Sequence, residues 1–81
     1  MATTDRASAY LRLMEDSSHG VSYHGDRYAG LCVEVSSTLA YVDPRTHKRT
    51  YSYRYRVAGR RMRRADAVTA MAQALADLVA A

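Results

Sequence analysis

From Leu31 the run LCVEVSSTLAY alternates side chains with a period of two, and beyond Pro44 the run TYSYRYRV does so again. Such alternation builds extended strands with unlike faces and does not fit the 3.6-residue period of a helix. Leu31, Val33, Val35, Leu39 and Tyr41 share one face of the first run, and Cys32, Glu34, Ser36, Thr38 and Ala40 share the other. In the second run Tyr51, Tyr53, Tyr55 and Val57 oppose Thr50, Ser52, Arg54 and Arg56. Two long strands joined as a hairpin follow. Slipping the register by one residue sends every side chain to the opposite face, so the loop length is constrained by parity. A five-residue loop over 44–48 pairs Asp43 with Arg49 and sets Tyr41 opposite Tyr51, Leu39 opposite Tyr53, Ser37 opposite Tyr55 and Val35 opposite Val57. Both apolar faces then join into one. An even loop achieves this only if a bulge restores the parity.

The flanking segments read as helices. Thr3 or Thr4 can cap the first, with Asp5 in its first turn, and Ala7, Tyr10, Leu11 and Met14 recur at the spacing of one buried stripe. Ser17-Ser18-His19-Gly20 ends it, Gly20 being suited to a left-handed closing residue. Val68, Met71, Ala72, Leu75, Leu78 and Val79 form the stripe of an alanine-rich second helix, with Asp66 in its first turn. Gly25-Asp26 suits a two-residue turn between a short strand and the long one, with a bulge near Ala29-Gly30 to reconcile parity. Ala58-Gly59 reads as a turn, with room for a very short strand over 60–62. The expected boundaries are a helix over about 4–16, strands over about 21–24, 27–43 and 49–58, and a helix over about 64–80. The fold class is α+β, a three-stranded antiparallel sheet with two helices on one face in the order α-β-β-β-α, within one domain spanning residues 1–81.

Two helices cover one face of such a sheet and leave the other wet. The covered face is expected to hold Leu31, Val33, Val35, Leu39, Tyr41, Tyr53 and Val57. The open one displays Thr38, Ser52, Arg54 and Arg56, flanked by the loop from Arg45 to Arg49 and by Arg60 and Arg61.

Charge is segregated along the chain. Residues 45–64 hold nine of the twelve basic residues and none of the eight acidic ones, in a protein of net charge +4. Segregation of this kind accompanies binding to nucleic acid or to acidic proteins. A chain of 81 residues buries only about 60% of its unfolded surface, so its core is small. Cys32 is the single cysteine, which excludes an intrachain disulfide and a zinc site of paired thiolates; a reducing cytosol is the expected compartment and a buried or half-buried thiol the expected state. The apolar runs are far shorter than the ~18 residues that cross a bilayer, so no membrane partner is expected. Met1-Ala2-Thr3-Thr4-Asp5 lacks the features of a secretory signal.

A search for chemistry points to binding, without enzyme activity or cofactor. His19, His24 and His47 lack metal-ligand spacing, Ser36-Ser37 lacks the glycine frame of a nucleophile elbow, and no glycine-rich phosphate loop is present. Tyr51, Tyr53 and Tyr55 interleaved with Arg54 and Arg56 invite comparison with nucleic-acid platforms. Their alternation puts tyrosines and arginines on opposite faces, which assigns those tyrosines to the core.

Two resemblances carry functional expectations. The loop Pro44-Arg45-Thr46-His47, the strand Tyr51-Ser52-Tyr53-Arg54-Tyr55 and the helix opening at Arg63-Arg64 resemble a double-stranded RNA-binding domain; Ala65 and Val68 stand where that family carries lysines. The resemblance implies that His47 enters a minor groove and that Arg63 and Arg64 lie on phosphates. By size and organisation the chain also looks like the small inhibitors of phages and mobile elements, anti-CRISPR proteins among them. That resemblance implies docking on a host protein or nucleoprotein complex, for which the arginine-dense face supplies Arg45, Arg49, Arg54, Arg56, Arg60 and Arg61; with His47, Lys48, Arg63 and Arg64 these are the candidate binding residues. The leading expectation is such an inhibitor, the second direct and largely sequence-independent duplex binding, and the third a homodimer through exposed sheet edges.

Overall fold

The computed structural model describes residues 2–81. Its elements are α1 (Thr3–Ser18), β1 (Tyr23–Tyr28), β2 (Leu31–Val42), β3 (Arg49–Val57), β4 (Arg60–Met62) and α2 (Arg64–Ala80). All neighbouring strands are antiparallel and follow chain order, β1-β2-β3-β4. The fold is α+β as expected, but the sheet has four strands, and the order is α-β-β-β-β-α. The added strand exists because Ala58 and Gly59 both take positive φ, 51° and 78°, the conformation of a two-residue turn that matches strand twist. Arg60 and Met62 thereby come to pair with Val57 and Tyr55.

The first hairpin differs from the sequence expectation. Gly25-Asp26 lies inside β1, and the turn is Ala29-Gly30, with φ of 49° and 87°. Tyr28 then pairs with Leu31, Asp26 with Val33 and His24 with Val35, which removes the parity conflict without any bulge there. Tyr23, Gly25 and Arg27 fall on the opposite face.

The main hairpin keeps the expected parity by the second of its two routes. Its loop has six residues, 43–48, and a bulge between Leu39 and Tyr41 corrects the even length. The register is displaced by two residues from the expected one: Val35 faces Tyr55 and Val33 faces Val57. Beyond the bulge Tyr41 pairs with Thr50, so it changes face. The hairpin also outruns the helices, within a molecule measuring 51 × 26 × 18 Å. Leu39 and Tyr41, expected under cover, are therefore 47% and 57% exposed.

The core is small. Ala7, Leu11 and Met14 from α1 meet Val33, Val35, Tyr55 and Val57 from the sheet and Ala67, Val68, Met71 and Ala72 from α2. Both helices occupy the same side, because every buried strand residue belongs to that face. Leu78 and Val79 of the expected α2 stripe, in the last turn of the helix, are exposed. At the end of α1 the expected glycine closure is absent. Gly20 does not take positive φ; Ser22 does, at 67°. The helix end is instead tied to β2, with Ser37 Oγ donating to Ser18 O at 3.0 Å and Ser37 N–H to Ser22 O at 3.0 Å. Neither Thr3 nor Thr4 caps the helix start, where Ala2 occupies the cap position.

Candidate functional site

The uncovered face of the sheet gathers side chains from all four strands. By register, Tyr23, Gly25 and Arg27 of β1 lie beside Ser36, Glu34 and Cys32 of β2; Ser36 and Glu34 lie beside Arg54 and Arg56 of β3; and Arg56 lies beside Arg61 of β4. Four arginines thus share a surface with one carboxylate, Glu34. That carboxylate is engaged: the Tyr23 hydroxyl donates to its Oε1 at 2.9 Å. The bond to Glu34 raises the Tyr23 hydroxyl above the ordinary phenol pKa.

Arg54, Arg56 and Arg61, with Ser36 and Gly59, line a shallow depression. The Arg56 guanidinium donates to Gly59 O at 3.2 Å, which leans it toward the β3–β4 turn. Among the described residues the side chains of Arg27, Arg54 and Arg61 form no hydrogen bond or ion pair, so their donors point to solvent. Cys32 is exposed on this face, contrary to the expected burial. Its strand alternation, not the apolar run around it, decides its side.

The remaining basic positions separate into two further groups. Arg45, His47, Lys48 and Arg49 are exposed at the hairpin tip. Asp43 organises that tip, accepting from the Arg45 and Thr46 N–H groups at 2.8 and 3.4 Å, while its carbonyl accepts from His47 N–H at 2.8 Å. The loop is shaped by local side-chain and backbone bonds that hold the cations outward. Arg60 and Arg63 lie at the other end, along the edge between β4 and α2 with Asp66, Thr69 and Gln73.

Arg64 is half-buried and held against α1. Its Nε donates to Glu15 Oε2 at 3.1 Å and its Nη2 to Glu15 Oε1 at 3.3 Å, the only ion pair among the described residues. Arg64 also reaches Ser8 O and Oγ at 3.3 and 3.4 Å. Glu15 accepts a further bond from the Tyr55 hydroxyl. Burial and that bond push the Tyr55 hydroxyl well above the usual phenol range. The three side chains pin α1, β3 and the start of α2 together.

The tyrosines of β3 face the helices as expected. Tyr55 is buried, and Tyr53 and Tyr51 are half-buried beside His19, whose ring stacks on Tyr51 with centroids 3.9 Å apart and planes 7° apart. His19 Nε2 shares a hydrogen bond with the Tyr53 hydroxyl. Tyr23, Tyr41 and Arg27 are the residues of the open face that sequence reasoning missed. The signal for Tyr23 and Arg27 was their i, i+4 alternation with Gly25, hidden when Gly25-Asp26 was read as a turn.

No protein-family model matches this sequence, and no curated protein and no solved structure matches it significantly. Among the described residues, no group of three or more histidine, cysteine, aspartate or glutamate side chains is placed to share a metal ion. None of the described helices is long and apolar enough to cross a membrane.

Proposed function

We propose that this chain is a non-enzymatic binding protein that docks through the uncovered face of its sheet on an anionic macromolecular partner, a host nucleoprotein complex, and inhibits it by occupying that surface. One observation carries the reading: Arg27, Arg54, Arg56 and Arg61 share an exposed face whose lone carboxylate is already bonded to Tyr23. Guanidinium groups without an acidic partner, presented side by side on a sheet, are prepared for bidentate bonds to phosphate or carboxylate. The tip cations at Arg45, Lys48 and Arg49 extend the positive field along the hairpin and favour encounter with a large anion.

Binding to a base-free polyanion, measured by fluorescence anisotropy across a salt series, tests this reading. The wild-type protein binds at low salt and weakens steeply as salt rises. Replacing Arg54, Arg56 and Arg61 together with alanine lowers the slope of log K against log salt by about 0.7–0.9 for each phosphate that is no longer neutralised. Equal affinity and equal slope in the triple variant refute the sheet face as the docking surface. Duplex RNA and DNA, run in parallel, test direct double-strand binding.

A further inference from the structure

The interleaved tyrosines of β3 are turned toward the helices, yet the fold brings two other tyrosines to the arginine face. Tyr23 arrives there because β1 runs unbroken through Gly25 to Tyr28. Tyr41 arrives there because the bulge beyond Leu39 reverses its side. They are 48% and 57% exposed.

Tyr23 has the geometry of a prepared aromatic surface. Its phenol end lies across Gly25, so closely that a Cβ at position 25 would sit 2.5 Å from the Tyr23 hydroxyl oxygen and 3.1 Å from Cζ. A larger residue at 25 would have to push the phenol aside. The hydroxyl is anchored on Glu34 Oε1 at 2.9 Å, so the side chain is tethered at its far end as well as at its Cα. A ring held in this way loses little freedom when a partner stacks on it.

Beyond the Glu34 carboxylate that holds its hydroxyl, the ring is flanked by arginines. Arg54 lies in the same cross-strand row as Tyr23, and Arg56 and Arg61 lie in the row of Gly25 and Glu34. Strands lie about 4.8 Å apart and alternate residues of one strand about 6.7 Å apart, so these arginines stand roughly 10–15 Å from Tyr23, backbone to backbone. Tyr41 is five residues beyond Ser36, roughly 16 Å farther along β2 by the same strand rise. An exposed ring beside guanidinium groups offers a planar surface for an unpaired base and donors for the flanking phosphates. A duplex keeps its base faces stacked inside and cannot use the rings.

We infer that the anionic component recognised by the open face is single-stranded nucleic acid, with bases stacking on Tyr23 and Tyr41 and phosphates held by Arg54, Arg56 and Arg61. This rests on the reading of that face as an anion-docking surface and adds the requirement for bases.

The test compares three labelled probes by anisotropy at low salt: a short oligodeoxythymidylate, an abasic phosphodiester strand of equal length, and a hairpin duplex. The wild-type protein is expected to bind oligodeoxythymidylate roughly tenfold more tightly than the abasic strand, the advantage that stacking a base on an aromatic side chain supplies. Tyr23→Ala removes one of the two rings and lowers the ratio of oligodeoxythymidylate to abasic-strand affinity, a ratio in which the effect of freeing the Glu34 carboxylate on both strands cancels. Gly25→Val lowers the same ratio with Tyr23 and every charge in place, because its side chain displaces the phenol. Circular dichroism verifies that each variant is folded, and the wild-type comparison stands without either. Equal binding of oligodeoxythymidylate and the abasic strand overturns the stacking proposal while leaving the cationic face intact. Tighter binding of the duplex than of the single strand overturns it in favour of phosphate recognition alone. Failure to bind any probe overturns the anion-docking reading too.

Discussion

Replacing Arg64 with alanine separates a fold-holding arginine from those available to a partner. Its guanidinium makes two contacts to Glu15, at 3.1 and 3.3 Å, and the side chains are 37% and 10% exposed. Removing one member of a fully buried pair costs about 3–5 kcal/mol, because the other charge is left desolvated. Arg64 is more than a third exposed, and Glu15 keeps its bond from Tyr55, so water replaces part of the loss; halving the figure gives about 2 kcal/mol. For 81 residues the whole stability is of order 4–12 kcal/mol, and a loss of this size lowers the melting temperature by roughly 8–16 °C. Urea and thermal unfolding followed by far-ultraviolet circular dichroism measure it. Arg63→Ala, one residue away and exposed, is the control and is expected to change stability by no more than about 0.5 kcal/mol. At a temperature where both variants are folded, Arg64→Ala is expected to retain polyanion affinity. An Arg64→Ala protein no less stable than Arg63→Ala, or one that loses polyanion binding while fully folded, would overturn the assignment of Arg64 to the fold.

Two further expectations concern stability. Tyr10, Tyr53 and Tyr55 all have hydroxyls raised above the ordinary phenol pKa of 10.0, Tyr55 most strongly through burial and Glu15. Because the unfolded chain releases these protons first, the stability they contribute is complete below pH 10 and is lost as pH rises toward the folded values; urea midpoints at increasing alkalinity should fall, and Tyr55→Phe should flatten the decline. Ala58 sits at φ 51°, a left-handed conformation that asparagine tolerates better and that precedes glycine in the preferred hairpin turn, so Ala58→Asn should stabilise by about 0.5–1 kcal/mol. A lower urea midpoint in that variant would count against the assigned turn.

The parts of the fold written in local periodicity were legible. The stripe Ala7, Leu11 and Met14, the alternation of Val33 and Val35, and the outward side of Arg54 and Arg56 all follow from spacing alone. Gly25-Asp26 misled because its turn chemistry is good locally, whereas Ala29-Gly30 gives β1 a register that places Tyr28 against Leu31. Loop parity constrained the main hairpin to one of two face assignments but not to one register, since a shift by two residues leaves the faces unchanged. The Asp43-centred bonds that set the loop at six residues carry no period. Arg64 lay in a run of arginines, and nothing local distinguished it from Arg63; its partner, Glu15, is 49 residues away. The open-face aromatics depend on a bulge and a displaced turn, both of them tertiary decisions.

The bulge at Ala40 also separates chemistry from aim. A chain lacking Ala40 would still pair Leu39 with Tyr51 and Tyr41 with Thr50, so every side chain on both faces would keep its side. What such a deletion would remove is the bend and added twist that an unpaired residue puts into a strand. Ala40 contributes no functional group to the surface, yet the bulge it forms lies along the hairpin between the arginines of the sheet and Arg45, Lys48 and Arg49 at the tip. Selection for the angle between these two cationic surfaces can act on the presence of one small residue without altering any group that a partner would touch.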